Sequence, residues 1–446
     1  MALNPPTPIT PADTSSDSSA DNAPDTTGHD RHSGAARLLI LAPPSSYRLA
    51  PYIEAARQCR VTPLIVSDGR YSLVSEVAQG LHIDFSDTES AVATMLELAQ
   101  REPIAGIIAT DDYSVALAAH AAQALSLVHN SPDTALITSR KDLSRAVLDK
   151  AGLPVPAFRL IDLQRDPLPQ IDNFPFPAVL KPLNLSASRG VIRVNDTDEF
   201  IQACHRIHAI TREQSDSEVQ HHLLCETYIH GIEVAIEGFV DNGEFHRLAL
   251  FDKPDPLHGP YFEETYYITP SRLPAKMQDK IINTTADACR ALGIITGPVH
   301  AEFRIEDQQV WILEVAARTI GGECARLLQF GTGYSLEQLV VSHAIGQPIR
   351  PDTLTKAAGV LMIPTPKSGI LRRVEGMLAA QKVPLIEAVH INIREGNELI
   401  CLPEGNSYLG FIFARGEDPA EVEQALRRAH ACLNIVVAPL IKLQRS

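Results

Sequence analysis

Apolar positions along this chain fall into short runs of period two alternating with longer stretches of helical period. The first 35 or so residues show neither, being rich in Pro, Ser, Thr, Asp and Ala, and are expected to form a disordered tail over 1–35. Order begins at Leu38–Leu41, an apolar run that reads as a buried parallel strand, followed by a helical stretch to about Gln58 and a second strand over Val61–Val66. Helices over Ala91–Gln100 and Val115–Leu125 then flank a strand at Ile104–Ala109, which predicts a small doubly wound α/β domain over 36–130. Its first turn carries no Gly-x-Gly-x-x-Gly, so no dinucleotide is assigned to it.

Beyond Asn130-Ser131-Pro132 the character changes and a new domain, 131–355, is expected. A helix opens at Ser139-Arg140-Lys141-Asp142 and runs to Lys150, where Gly152, Pro154 and Pro156 stop it. Pro177–Pro182 and Val191–Val194 read as a hairpin closed by the polar loop Asn184–Gly190. Leu223–Ile229, Glu233–Val240 and Phe245–Phe251 supply further strands. From Ala357 the strands Ala357–Pro364, Val389–Arg394 and Leu409–Ala414 alternate with helical segments such as Pro419–Leu433, an α+β lobe over 356–446.

The pair His300–Ile305 and Val310–Val315 carries the strongest chemical signal. With a three-residue turn of Asp307, Gln308 and Gln309, Glu302 faces Glu314 directly, with His300, Arg304, Ile312 and Ala316 on the same face. Phe303, Ile305, Trp311, Leu313 and Val315 then form the core face. Facing carboxylates have Cβ atoms roughly 5 Å apart and repel unless neutralised, which Mg²⁺ bound to substrate phosphates accomplishes. A four-residue turn would instead place the two glutamates on opposite faces as ordinary acids. Lys181 closes an apolar strand beside the Ser/Ala/Gly loop, either as a phosphate contact or as a solvated strand end. Arg318 precedes Thr319-Ile320-Gly321-Gly322, where paired glycines permit close backbone approach to an anion at the start of a helix over Glu323–Gln329. The alternative for Arg318 is a salt bridge to Glu323 or Glu302.

Composition narrows the field. Hydrophobic residues make up 45% and charged residues 21% of 446, as in soluble globular proteins, and no apolar run approaches the roughly 20 residues needed to span a bilayer. The N-terminus lacks a secretory pattern, so a cytoplasmic location without a membrane partner is expected. A formal charge of −15 argues against nucleic acid as a partner. Seven scattered cysteines and the absence of paired histidines on a helix suggest neither a disulfide framework nor zinc. Neither a Gly-x-Ser-x-Gly elbow nor a P-loop occurs.

Taken in order, Lys141, Lys181 with its loop, the Glu226–Ile229 segment, Glu233, Glu302 and the Glu314–Gly322 stretch resemble the ATP-grasp enzymes over about residues 37 to 440. Within that superfamily Gly297-Pro298-Val299-His300-Ala301-Glu302-Phe303 with Glu314-Val315-Ala316-Ala317-Arg318-Thr319-Ile320-Gly321-Gly322 looks most like carboxylate–amine ligases of the L-amino-acid ligase and carnosine synthase type. The resemblance implies an N-terminal pre-ATP-grasp domain, a two-lobed ATP-grasp core and a C-terminal α+β lobe. It implies ATP and Mg²⁺, or Mn²⁺ in its place, with a small-molecule carboxylate and amine, amino acids by type, as substrates. A homodimer is common for such folds. Lys141 and Lys181 would contact the nucleotide phosphates. Glu226, Thr227, Tyr228 and Ile229 would form the adenine hinge, and Glu233 would hold the ribose. Glu302 and Glu314 would bind the metal. Arg318 and Lys181 would be the catalytic residues, with Arg318, Gly321 and Gly322 holding the acyl phosphate. Glu264, in Gly259-Pro260-Tyr261-Phe262-Glu263-Glu264, would pair with a substrate ammonium or else be an exposed acid. One departure stands out: many members carry Asn two residues after the second metal glutamate, and this chain has Ala316. Two other readings remain: another ATP-grasp reaction, of the biotin carboxylase or purine-pathway kind, and a non-catalytic nucleotide-binding protein.

Overall fold

Short apolar runs separated by helices lead in the computed structural model to a parallel sheet of order β3-β2-β1-β4, made of β1 (Arg37–Leu41), β2 (Thr62–Asp68), β3 (Gly80–Ile83) and β4 (Ile104–Ala109). The structure describes residues 36–440 apart from 45, 47, 69–79, 213, 215 and 352–355, and the side chains of 217, 330 and 331; the tail expected over 1–35 lies outside the described residues. Strand alternation divides this sheet between two cores. Leu39, Leu41, Leu64 and Val66 pack with Met95 and Leu117, while Leu38, Ile40 and Ile65 join Phe239, Leu339 and Phe411 from later elements.

A second, antiparallel sheet of order β5-β8-β6-β7 comprises β5 (Phe158–Asp162), β6 (Ala178–Pro182), β7 (Ile192–Val194) and β8 (His222–Thr227). The helix Thr197–Thr211 covers it, its N-cap Asp196 accepting the Glu199 N–H and its Phe200 and Ile207 meeting Leu180 and Cys225. The largest sheet has eight strands in the order β13-β12-β9-β10-β11-β14-β18-β16. These are β9 (Ile232–Asp241), β10 (Glu244–Lys253), β11 (Tyr266–Thr269), β12 (Gly297–Glu306), β13 (Gln309–Ala316), β14 (Ala357–Ile363), β16 (Ile386–Ile391) and β18 (Gly410–Gly416). Pairing of β11 with β14 makes the C-terminal strands continuous with those that carry Glu302 and Glu314. A small sheet of β17 (Glu398–Leu399), β15 (Gly369–Glu375) and β19 (Asn434–Ala438) completes the chain.

The β12–β13 hairpin reaches the expected register by an unexpected route. Glu302 does face Glu314, but Glu306 pairs with Gln309, so the turn has two residues, Asp307 and Gln308, both at positive φ. Counting through that turn alone would set Glu302 opposite Leu313. A bulge between Glu302 and Phe303 leaves Leu313 unpaired and restores the facing carboxylates. Between bulge and turn the face assignment therefore inverts: Ile312 and Val310 are buried in the core with Phe303 and Ile305, whereas Leu313 lines the cavity described below. Arg145 holds the bulge in place, donating to the Ile312 carbonyl at 2.7 Å and the Leu313 carbonyl at 2.8 Å.

Candidate active site

A cavity of about 1300 Å³ opens between the second sheet, the eight-stranded sheet and the edge of the N-terminal sheet. Lys141, Lys181, Glu226–Ile229, Glu233, Glu264, Glu302, Glu314, Arg318, Gly321 and Gly322 all contribute to its lining. The fold thus brings together residues spread over some 180 positions.

One wall comes from β6 and β8. Glu226, 1% exposed, accepts from Arg145 at 2.6 Å and pairs with Lys181 Nζ at 2.6 Å. Burial alone would raise its carboxyl, but Arg145 and Lys181 outweigh that and hold it below the usual range. Lys141, on the first turn of the helix Lys141–Lys150, donates to the Leu185 carbonyl at 2.9 Å and to Glu314 at 3.3 Å, joining the Asn184–Gly190 loop to the carboxylate hairpin. That loop is tied in turn to the C-terminal region: the Gly190 N–H donates to the Pro403 carbonyl at 2.9 Å, and Arg189 to the Glu404 carbonyl at 3.0 Å. Arg206 forks onto the Glu404 carboxylate at 2.6 and 2.9 Å.

The opposite wall is built around Lys253, which sequence reasoning missed. The residue is 5% exposed, and its ammonium lies 2.9 Å from Glu233, 2.6 Å from Glu264 and 2.8 Å from Glu302, and 4.9 Å from the Tyr267 ring centre. The signal was present, since Lys253 closes an apolar strand just as Lys181 does. Glu233 is also gripped by Arg304 at 2.9 Å, and Glu302 by His300 at 3.5 Å. Burial raises the Glu264 carboxyl, Lys253 pulls it down and Glu302 repels it, leaving it at about 7. Glu302, with both Lys253 and His300 beside it, is held well below the usual range despite burial. His300 would be lowered by burial, but its hydrogen bonds to Glu237 and Glu302 push it up to about 9. Glu237 is an acid in the middle of an apolar strand; it is fully buried, contacts His300 at 3.2 Å and accepts the Ile320 N–H at 3.1 Å.

Arg318 has neither of the partners expected for it. It donates to Asp112 at 2.8 Å, at the start of the helix Asp112–Ala124, and burial is outweighed by Asp112 and Glu314 in keeping it cationic. Arg48 reinforces this corner, donating to Thr319 Oγ1 at 2.8 Å and the Ile320 carbonyl at 3.0 Å. The following helix begins at Ala325, two residues later than expected, because Gly322 and Glu323 sit at φ +62° and +54°. A Cβ on Gly322 would approach Met362 Sδ to 2.4 Å, so a larger residue there would push the Met362 side chain aside and hold a strained positive φ.

The donor set suits a divalent cation with phosphate: Glu302 and Glu314 face each other at the cavity wall, and basic groups stand within the same cavity. Among the described residues no helix is long and apolar enough to cross a membrane.

The chain that gathers these carboxylates, lysines and paired glycines around one cavity matches the ATP-grasp domain family over residues 174–326. Residues 361–438 match the L-amino acid ligase C-terminal domain 2, so the chain carries an ATP-grasp domain followed by the C-terminal domain of the L-amino-acid ligases. The crystal structure of an L-amino acid ligase from Bacillus licheniformis is similar at TM-score 0.75 and 25% identity, covering 91% of this chain and 99% of that one. An uncharacterized Sinorhizobium fredii protein, y4rH, is 22% identical over 91% of this chain and 84% of its own length. Alanine–anticapsin ligase of Bacillus subtilis is 23% identical over 57% of this chain, which spans only 56% of that relative.

Proposed function

We propose that this protein is an ATP-dependent carboxylate–amine ligase that joins amino-acid-type substrates through an acyl phosphate, releasing ADP and phosphate. The observation that carries the reading is the opposed pair Glu302–Glu314, in one cavity with Lys141, Lys181 and Arg318. The family likeness and the amino-acid substrates named for its relatives support it.

In this reading the Glu226–Ile229 segment receives the adenine, Glu233 the ribose, and Lys141 and Lys181 the phosphates. Glu302 and Glu314 hold Mg²⁺, which when bound neutralises charge on the phosphoryl oxygens. A substrate carboxylate oxygen attacks the γ-phosphorus and ADP leaves. The amine then attacks the acyl carbon, loses a proton, and phosphate departs with the former carboxylate oxygen. Arg318 and the N–H groups of Gly321 and Gly322 steady the acyl phosphate and its tetrahedral oxyanion, Asp112 fixing the guanidinium. Glu264, as a carboxylate, pairs with a substrate ammonium. The Asn184–Gly190 loop excludes water that would hydrolyse the intermediate.

The test is ADP and phosphate release from MgATP across a matrix of amino acids and small carboxylates, with mass spectrometry of products and Glu314→Ala as the blank. Release that requires both a carboxylate and an amine, with a condensed product, is expected. Turnover driven by bicarbonate, or by no pair at all, would overturn the reading.

A further inference from the structure

We propose that Lys253 is a built-in cation that fills the place a metal ion could otherwise take among Glu233, Glu264 and Glu302, leaving a single divalent ion at Glu302 and Glu314. The inference rests on the metal assignment above and goes beyond it. One carboxylate oxygen from each of Glu233, Glu264 and Glu302 lies within 4.8 Å of the other two, close enough to share a cation. The Lys253 ammonium already sits 2.6–2.9 Å from all three. Mg²⁺ needs oxygens at about 2.1 Å and keeps several waters. An ion so placed would lie almost on top of the ammonium, and the repulsion between them would be weakly screened behind the wall.

Three further observations agree. Lys253 is buried behind the cavity wall while the three carboxylates line it, so the ammonium organises those acids without itself facing the cavity. The cluster is also provided with its own positive charge, since Arg304 lies 2.9 Å from Glu233 and His300 3.5 Å from Glu302. On the other side of the hairpin, Ala316 offers only a methyl group, buried opposite His300, where a side-chain oxygen would be needed to help Glu314 hold a second ion. Lys253 is therefore a positioning residue: it holds Glu302 through one oxygen, turning the remaining carboxylate valence toward Glu314.

Electron paramagnetic resonance and equilibrium dialysis with Mn²⁺ and the β,γ-imido analogue of ATP test this on the full chain without turnover. Wild type is expected to bind one Mn²⁺ per bound nucleotide, with an uncoupled spectrum. Lys253→Met, a neutral side chain of similar length, should take up a second ion. Two ions in wild type would overturn this inference alone. A folded Lys253→Met protein that still binds one would also overturn it. No ion in either protein, with nucleotide still bound, would overturn both this inference and the metal role of Glu302 and Glu314. If Lys253→Met does not fold, the wild-type count decides alone.

Discussion

At Glu226 one carboxylate is shared by two cations, Lys181 and Arg145, whereas at Lys253 one ammonium is shared by three carboxylates, Glu233, Glu264 and Glu302. Both arrangements satisfy buried charge, but the ratios are opposite. The first wall retains surplus positive charge and suits phosphate oxygens. The second gathers three acids around one ammonium, with Arg304 and His300 at its flanks, and on the proposed reading turns carboxylate oxygens toward a metal ion and a substrate ammonium. On the proposed reading, a cavity polarised in this way would orient a nucleotide triphosphate against a metal before any reaction occurs, the kind of fixed field that costs no reorganisation at the transition state.

The largest effect is expected from removing metal charge without touching either buried cluster. Glu314→Gln should lower ADP release on the order of 10²- to 10³-fold while the protein still folds, because charge stabilisation at the transferring phosphoryl group is lost. Steady-state kinetics alongside thermal melting check this, and an unaltered turnover number would break the link between the hairpin and the chemistry.

Arg145→Ala attacks the first wall. It strands Glu226 with Lys181 alone and frees the carbonyls of Ile312 and Leu313, so denaturant unfolding should show a loss of roughly 3–5 kcal/mol, as for other broken buried pairs. The bulge that sets Glu302 opposite Glu314 should relax with it, so weakened metal binding should accompany the instability. Stability loss of under about 1 kcal/mol would place the pair among those that contribute little.

The second wall should reveal itself through pH. Glu264 titrates at about 7 when folded, above the ordinary carboxylate value of 4.5. The folded state thus binds the extra proton, and this group's contribution to stability falls as pH rises from about 4.5 through 7. If its carboxylate receives a substrate ammonium, KM for that substrate falls over the same rise, and Glu264→Gln flattens the profile. His300, raised from 6.5 to about 9, contributes stability that is complete below 6.5 and is lost as pH climbs through 9. Chemical denaturation at pH 6 and pH 9 on His300→Gln and wild type separates the two groups.

The smallest effect belongs to the exposed Arg206–Glu404 fork. Glu404→Ala should cost under about 1 kcal/mol, yet speed proteolysis within Asn184–Gly190, because the fork is one of the ties between that loop's neighbourhood and the C-terminal region. Unchanged cleavage would show that the backbone bond from Gly190 to Pro403 suffices.

What could be read from the sequence follows from range. Strands such as Ile104–Ala109 and the helix ending at Lys150 are set by local period and capping, and appear at or within a few residues of their expected bounds. The opposed glutamates were legible as well, yet through a turn one residue too long, since a bulge held by Arg145 from another element has no local signature. Short strands such as Gly80–Ile83 and Tyr266–Thr269, and the helix Ala275–Leu292, were not anticipated. Partners across the cavity were illegible for the same reason: Asp112 lies 206 residues from Arg318, and no spacing rule connects them. Lys253 was overlooked although its position at a strand end matches that of Lys181, because its meaning depends on three acids that only the folded sheet assembles.

The most direct test of carboxylate activation is oxygen transfer. With both carboxylate oxygens of an accepted substrate labelled as ¹⁸O, mass spectrometry of the released phosphate should find one labelled oxygen per turnover, and the condensed product should retain the other. Unlabelled phosphate, with amide formed at the same rate, would contradict an acyl phosphate.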